Sequence, residues 1–221
     1  WSDRWEENWD NLATIKENLS NGLLKTLDVK LKNKNYIETY NIDAYEYYLK
    51  AKYKWDNRKN KEDINLSKGF IKKSISLDSN LLIAKSFFAL RFLKVDKAII
   101  QLKDNLKQSE LVGDKNNFAH CLMGIGVLYR KKRLYKKALR YFYDGLNEFI
   151  SLNNKYEVAG AYDIIGHIYE DENDYSSAHK YWNKSKNIHK QIDNLKGIST
   201  SNNHSGVLFY ISGDYLNAFD R

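Results

Sequence analysis

At 221 residues, with 43% hydrophobic and 14% aromatic side chains, the chain has enough apolar surface to bury a core, which excludes a disordered segment. Proline is absent and glycine takes only 11 positions, so the punctuation of a turn-rich β protein is missing and helices are expected. The formal charge is +8, the single cysteine (Cys121) excludes an internal disulfide, and no apolar run approaches the roughly 18 residues of a membrane span.

The first residues, Trp1-Ser2-Asp3-Arg4-Trp5, carry neither an initiator Met nor a signal peptide, as expected of a fragment or a processed product that stays in the cytoplasm. Trp1, Trp5 and Trp9 recur every four residues, but Glu6, Glu7 and Asp10 interleave with them. Packing against another domain therefore explains these tryptophans better than an anionic membrane surface. A helix with Leu12, Ile15, Leu19, Leu23 and Leu27 follows, and residues 1–40 read as the tail of a preceding domain or a linker. Asn41 is a capping residue for a helix running to Trp55, and a second helix spans Ile64 to Leu77. Residues 41–78 thus form a divergent first helix pair.

From residue 79 the chain repeats itself. Gly126, Gly166 and Gly206 are spaced by 40, as are Ala98, Ala138, Ala178 and Ala218. Tyr129, Tyr169 and Phe209 keep the same step; so do Leu102, Phe142 and Trp182, and Tyr135, Tyr175 and Tyr215 with Val95 before them. Several ladders in register point to a repeat architecture. Each unit reads as two helices. From Cys121 to Tyr129 the apolar spacing is helical, Arg130 to Leu134 makes a short polar turn, and a second amphipathic helix runs from Lys137 to about Leu152. A Gly or Ala where helices cross allows close approach, and a large aromatic one turn away fills the space beside it. Gly113-Asp114, Asn153-Asn154 and Asp193-Asn194 fall between helices, where residues that tolerate the left-handed conformation end a helix. The units are 79–118, 119–158, 159–198 and 199–221.

This pattern resembles the tetratricopeptide (TPR) repeat. The family's apolar-Gly pair, its Tyr three residues later, its Ala and its aromatic match Ile125-Gly126, Tyr129, Ala138 and Phe142, and again Ile165-Gly166, Tyr169, Ala178 and Trp182. The period of 40 resembles a longer variant of the usual 34-residue repeat. The family's closing Pro is missing, and Ser86 and Ala89 stand where Gly and Tyr are expected. The resemblance implies an all-α, right-handed α-solenoid of antiparallel helix pairs with a short non-repeat N-terminal segment. The stretch Ala44-Tyr45 to Trp55 also resembles the opening of TPR regions in bacterial nucleotide cyclases and related transcriptional regulators. Arg221 follows Ala218 by three residues, inside what should be a longer helix, so truncation at both ends is expected, with uncapped repeat ends offering a route to self-association.

Catalytic and cofactor motifs are missing. Gly124-Ile125-Gly126 lies in mid-helix without a flanking strand or a third Gly, so it is no phosphate loop. One cysteine and five histidines (His120, His167, His179, His189 and His204) give no zinc-ligand spacing. The nearest constellation is Asp163 with His167, four residues apart, which Asn203 and His204 of the next unit would join; an ordinary polar groove is preferred there over a metal or catalytic site. Cys121 reads as a small buried hydrophobe. No enzyme activity, metal or cofactor is expected.

Where one unit carries the basic run Arg130-Lys131-Lys132-Arg133, the next carries Glu170, Asp171, Glu172 and Asp174 at the corresponding turn. Positive charge does not persist along the array, which argues against a nucleic-acid track. In TPR-like units the first helix of each pair lines a concave groove. Met123, Val127 and Arg130, then Asp163, His167 and Glu170, then Asn203 and Val207 are expected to line it. Such a surface suits a peptide or helix of mixed charge, which makes the chain a protein-interaction scaffold. The alternative is the regulatory C-terminal region of a nucleotide cyclase or transcription regulator whose catalytic or DNA-binding domain lies elsewhere.

Overall fold

The computed structural model describes residues 41–211, with side chains described as far as residue 206. The expectations for Trp1, Trp5, Trp9 and the helix before residue 40, for the side chains of Val207 and Phe209, and for Tyr215, Ala218 and Arg221 lie outside the described residues. Among the described residues every regular element is an α-helix. In chain order these are α1 (Ile42–Asp56), α2 (Lys61–Leu77), α3 (Leu82–Phe92), α4 (Val95–Val112), α5 (Lys115–Lys131), α6 (Tyr135–Ser151), α7 (Lys155–Asp171), α8 (Tyr175–Gln191) and α9 (Leu195–Ile211). None is long and apolar enough to cross a membrane.

Short polar side chains cap the starts of α1, α2, α5, α7 and α8, whereas α3, α4 and α6 have no side-chain cap. Asn41 accepts the Ala44 amide at α1, Asp114 that of Asn117 at α5, Asn154 that of Glu157 at α7, and Asp174 that of Ser177 at α8. Each cap satisfies one of the amides that the first turn leaves without a helical partner. At α2 the cap is Asn60, not a residue beside Ile64: Asn60 accepts the Asp63 amide while Asp63 accepts the Lys59 amide at 2.9 Å. This reciprocal pair adds a turn that apolar spacing alone does not show.

From α4 to α8 the helix ends follow a stricter rule. Gly113, Arg133, Asn153, Asn173 and Asp193 all have positive φ, between 52° and 72°. At each, that residue's amide reaches back three residues and the next amide reaches back five, as in Leu134 N to Tyr129 O at 3.0 Å and Asp174 N to Tyr169 O at 2.8 Å. This double closure ends a helix and reverses the chain within three residues. It recurs every twenty residues, so the turns within and between units are alike. Three positions match the sequence expectation; Arg133 and Asn173 extend it.

Core packing follows the ladders. Ala98, Ala138 and Ala178 are fully buried where helices cross, and Leu102, Phe142 and Trp182 fill the space beside them. A Cβ at Gly126 would lie 3.0 Å from the Phe142 ring, so the glycine ladder and the aromatic ladder are two sides of one contact. Residues from α5, α6 and α7, among them Ala119, Phe142, Phe149, Val158 and Ile165, form one continuous cluster, so consecutive units share a core.

The earlier units are built differently. Ser67 and Ser74 of α2 are fully buried and donate to the Ala51 and Ala44 carbonyls of α1, at 2.8 and 2.6 Å. Ser86, in the place of the repeat glycine, accepts from Asn105 Nδ2 at 3.0 Å and meets Cys121 Sγ at 3.5 Å. Asn117 Nδ2 donates to Ser109 Oγ at 2.7 Å, and Ser109 donates to the Asn105 carbonyl. This buried polar chain ties α3, α4 and α5 together, with most of its hydrogen-bonding groups satisfied internally.

Candidate partner-binding groove

The groove candidates on α5, α7 and α9 fall at equivalent positions of successive units. Met123 and Val127 are half-buried and pack against the α5–α7 core. Gly145 makes room for Met123, since a Cβ there would lie 3.0 Å from Met123 Sδ. The exposed parts of both residues give a shallow apolar surface.

Arg130 does not stand free. Its Nε donates to Asp171 Oδ2 at 2.6 Å, and its guanidinium also reaches Asp171 Oδ1 at 3.1 Å and the His167 carbonyl at 3.4 Å. This fork-to-fork pair joins the C-terminal turns of α5 and α7, and each side chain is about a third exposed (31%). Lys132 reaches Asp96 at 2.7 Å. Two cations of the basic run are thus paired within the chain.

Asp163, His167 and Glu170 lie where α7 meets α8 and α9. Asp163 is 18% exposed; its carboxylate lies 3.7 Å from His189 Nε2 and accepts from Ser201 Oγ at 3.4 Å. The Asp163 carbonyl accepts from Trp182 Nε1 at 3.2 Å. His167 Nδ1 is 2.9 Å from Glu170 Oε2, and its ring packs edge-on against Trp182 and, at 4.4 Å between centroids, against His204 of α9. His204 in turn lies 5.1 Å from Trp182. Burial and the neighbouring His167 ring push the His204 imidazole below its ordinary pKa, with Asp163 and Glu170 opposing. Asn203, beside His204, is exposed. The structure therefore brings Asp163, His167, Glu170 and His204 into one polar cluster, and Asp163 serves packing between units as much as any outward surface. Among the described residues no group of three or more His, Cys, Asp or Glu side chains is placed to hold a metal ion.

No family model matches the chain, and no curated protein matches it. Solved structures do. A Rap protein complexed with competence and sporulation factor aligns over 88% of this chain and 55% of its own, at 15% identity and a TM-score of 0.66. NprR in complex with its cognate peptide NprX aligns over 95% and 73%, at 17% and 0.58. A STAND-class signal transduction ATPase with a tetratricopeptide repeat sensor, from Pyrococcus horikoshii, aligns over 87% and 31%, at 16% and 0.59. The fold is a TPR-like helical solenoid. The chain spans about half the length of the Rap protein and less than a third of the STAND protein.

Sequence reasoning missed three features of the site. The Arg130–Asp171 pair joins residues 41 positions apart, so only the unit-to-unit charge reversal at the turns hinted at it. His189 is buried beneath Gly197, where a Cβ would meet the imidazole and lie 2.5 Å from its Cδ2. Gly197 stands nine residues before the ladder glycine at 206, so no ladder marked it. The third feature is a pair of tyrosine stacks, Tyr129 on Tyr141 and Tyr169 on Tyr181. The Tyr129/Tyr169 ladder was visible, but its stacking partner was not.

Proposed function

We propose that this chain is a cytoplasmic protein-interaction scaffold that holds an extended peptide or a helix of mixed charge along the faces that α5, α7 and α9 present in turn. The observation that carries this reading is the change of chemistry at equivalent positions: apolar Met123 and Val127, then polar Asp163 and His167, then exposed Asn203. Arg130, Glu170 and Val207 complete the proposed lining. A ligand read in this way needs apolar anchors at one end and hydrogen-bonding groups at the other, which a polypeptide supplies and a uniform polyanion does not. The pairing of Arg130 with Asp171 and of Lys132 with Asp96 further lowers the positive charge left for nucleic acid. Two similar folds, NprR with its peptide NprX and a Rap protein with competence and sporulation factor, were solved with bound partners, which supports a binding role for this architecture.

A peptide array probed with the protein tests this reading. Met123→Ala and His167→Ala should each weaken the strongest peptides about tenfold while the helical circular dichroism is kept. Tight binding of nucleic acid at low salt, with steep salt dependence and loss on neutralising Arg130 to Arg133, would reverse the assignment.

A second reading makes the array the regulatory region of a nucleotide cyclase or transcription regulator, rested on the resemblance of Ala44 to Trp55. It is compatible with the first, since the chemistry would lie in another domain. The full-length reading frame separates the two parents: a cyclase domain upstream supports one, a winged DNA-binding domain the other.

A further inference from the structure

The two tyrosine stacks are repeat equivalents, 40 residues apart, and their surroundings differ. Both pairs stack with centroids 5.4 Å apart, at 19° for Tyr129 on Tyr141 and 9° for Tyr169 on Tyr181. The second stack has a third member. Tyr143 of α6 brings its hydroxyl to 2.7 Å from that of Tyr181 and 3.3 Å from that of Tyr169, joining three phenols in one hydrogen-bonded group. Lys184 lies over the Tyr181 ring at 4.7 Å.

The residue 40 positions before Tyr143 is Lys103, which is exposed. Among the described residues no third phenol closes the first stack. Beside it is a cleft of about 260 Å³ lined by Tyr129, Lys137, Arg140, Tyr141 and Asp144. Among the described residues no side chain hydrogen-bonds to either the Tyr129 or the Tyr141 hydroxyl. The volume falls below the roughly 300–1,000 Å³ of small-molecule sites and suits a single side chain.

We propose that the cleft beside the Tyr129–Tyr141 stack takes a tyrosine side chain of a partner polypeptide. The repeat-equivalent stack supplies the precedent for the occupant: Tyr143 reaches Tyr169 and Tyr181 from a neighbouring helix with its hydroxyl against theirs. An incoming phenol would complete a three-hydroxyl group like that of the second stack, and its ring would cover the edge of the Tyr129–Tyr141 pair. Lys137, whose ammonium lies 5.9 Å over the Tyr129 ring, and Arg140 frame the cleft and favour a carboxylate next to that tyrosine. A phosphate on the phenol would remove the hydroxyl that completes the three-phenol group, so the unmodified side chain is the expected occupant. The cleft lies between α5 and α6 and uses none of the groove residues named above. It rests on the scaffold reading only in making the partner a polypeptide.

The probe is N-acetyl-tyrosinamide, titrated into protein carrying ¹³C-labelled tyrosine rings and followed by NMR. Saturable shifts at Tyr129 and Tyr141 are expected, with a millimolar dissociation constant. The phenylalanine analogue, which lacks the hydroxyl, should bind about threefold to tenfold more weakly. Lys103→Tyr should supply the third phenol from within, abolish binding of the probe and raise the melting temperature. Tyr129→Phe keeps the ring but loses one hydroxyl, and should weaken binding without unfolding the chain. Equal binding of the phenylalanine analogue, a preference for phosphotyrosine, undiminished binding in a folded Lys103→Tyr protein, or no saturable shift at either ring would overturn the proposal. Because the probe does not engage α7 or α9, a negative result here leaves the groove reading standing, and failure of the groove leaves this one.

Discussion

Gly166 sits directly under the indole of Trp182: a methyl group at Gly166 would meet Nε1 and lie 2.6 Å from Cδ1. Trp182 is 1% exposed and its Nε1 is held by the Asp163 carbonyl, so the ring has little freedom to withdraw. Gly160, six residues earlier on the same helix, has nothing within 4 Å of a Cβ. The pair separates helix propensity from packing. Gly166→Ala should destabilise the chain by about 1–3 kcal/mol, and Gly166→Leu by more, through overpacking. Gly160→Ala should stabilise it by up to about 1 kcal/mol, since Gly is a poor helix former and no contact opposes the change. Urea denaturation of the variants checks both; a stability unchanged by Gly166→Ala would remove the crossing-point argument.

Arg133 adopts φ 58° in the turn between α5 and α6, where the four equivalent turns place Gly113, Asn153, Asn173 and Asp193. A left-handed conformation costs a long side chain about 1–2 kcal/mol. Arg133 is exposed. Arg133→Gly should therefore raise stability by about 0.5–1 kcal/mol, or roughly 1–4 °C in melting temperature for a chain of this size. A lower melting temperature would mean that the arginine side chain contributes more than its backbone costs.

Cys121 is fully buried against Ser86, and burial pushes its thiol up to about 11. At pH 8 only about one thiol in a thousand would be ionised, against about a quarter for a free cysteine. Alkylation by iodoacetamide should be negligible in the folded protein and should follow the unfolding curve in urea. Labelling within minutes under native conditions would mean that α3 opens away from α5.

The repeat was legible because its defining residues touch each other: Gly126 is small because Phe142 lies against it, and Gly166 because of Trp182. Contacts of that kind leave a fixed spacing in the chain. The weakest unit by sequence, with Ser86 and Ala89 out of pattern, is where packing by glycine and aromatic is replaced by the Ser86–Asn105 and Ser109–Asn117 hydrogen bonds. Serine and asparagine have no apolar periodicity, so nothing marked them as interior. At the site, the polar character of Asp163 and His167 was readable from helix position. That Asp163 turns toward His189 and Ser201, and that Arg130 is taken by Asp171, depends on how successive units stack, which a spacing rule does not reach.

His204 offers a test of that stacking through pH. Its ring lies against His167 of α7 and Trp182 of α8, and its Nδ1 is buried without a hydrogen-bond partner among the described residues. The charged groups facing it are His167, Asp163 and Glu170 from α7; His189 of α8 is engaged with Asp163. Burial, then His167, lowers the folded-state pKa of His204, so folding favours the neutral ring. The unfolded chain therefore binds more protons than the folded one below the ordinary histidine pKa of about 6.5, and stability rises with pH in that range. Above that value the effect vanishes; on acidification stability falls until the folded ring is protonated too, and then levels off. Charging His204 also sets it against His167, so docking of α9 on α7 should loosen first. His204→Gln removes the titrating group. Melting temperatures between about pH 7.5 and pH 5 should fall less steeply for the variant than for the wild type. Hydrogen exchange in wild-type α9 should quicken over the same interval before exchange in α5 changes. Parallel melting curves for the two proteins would place the pH dependence on other groups and remove His204 from the α7–α9 contact as a titrating element.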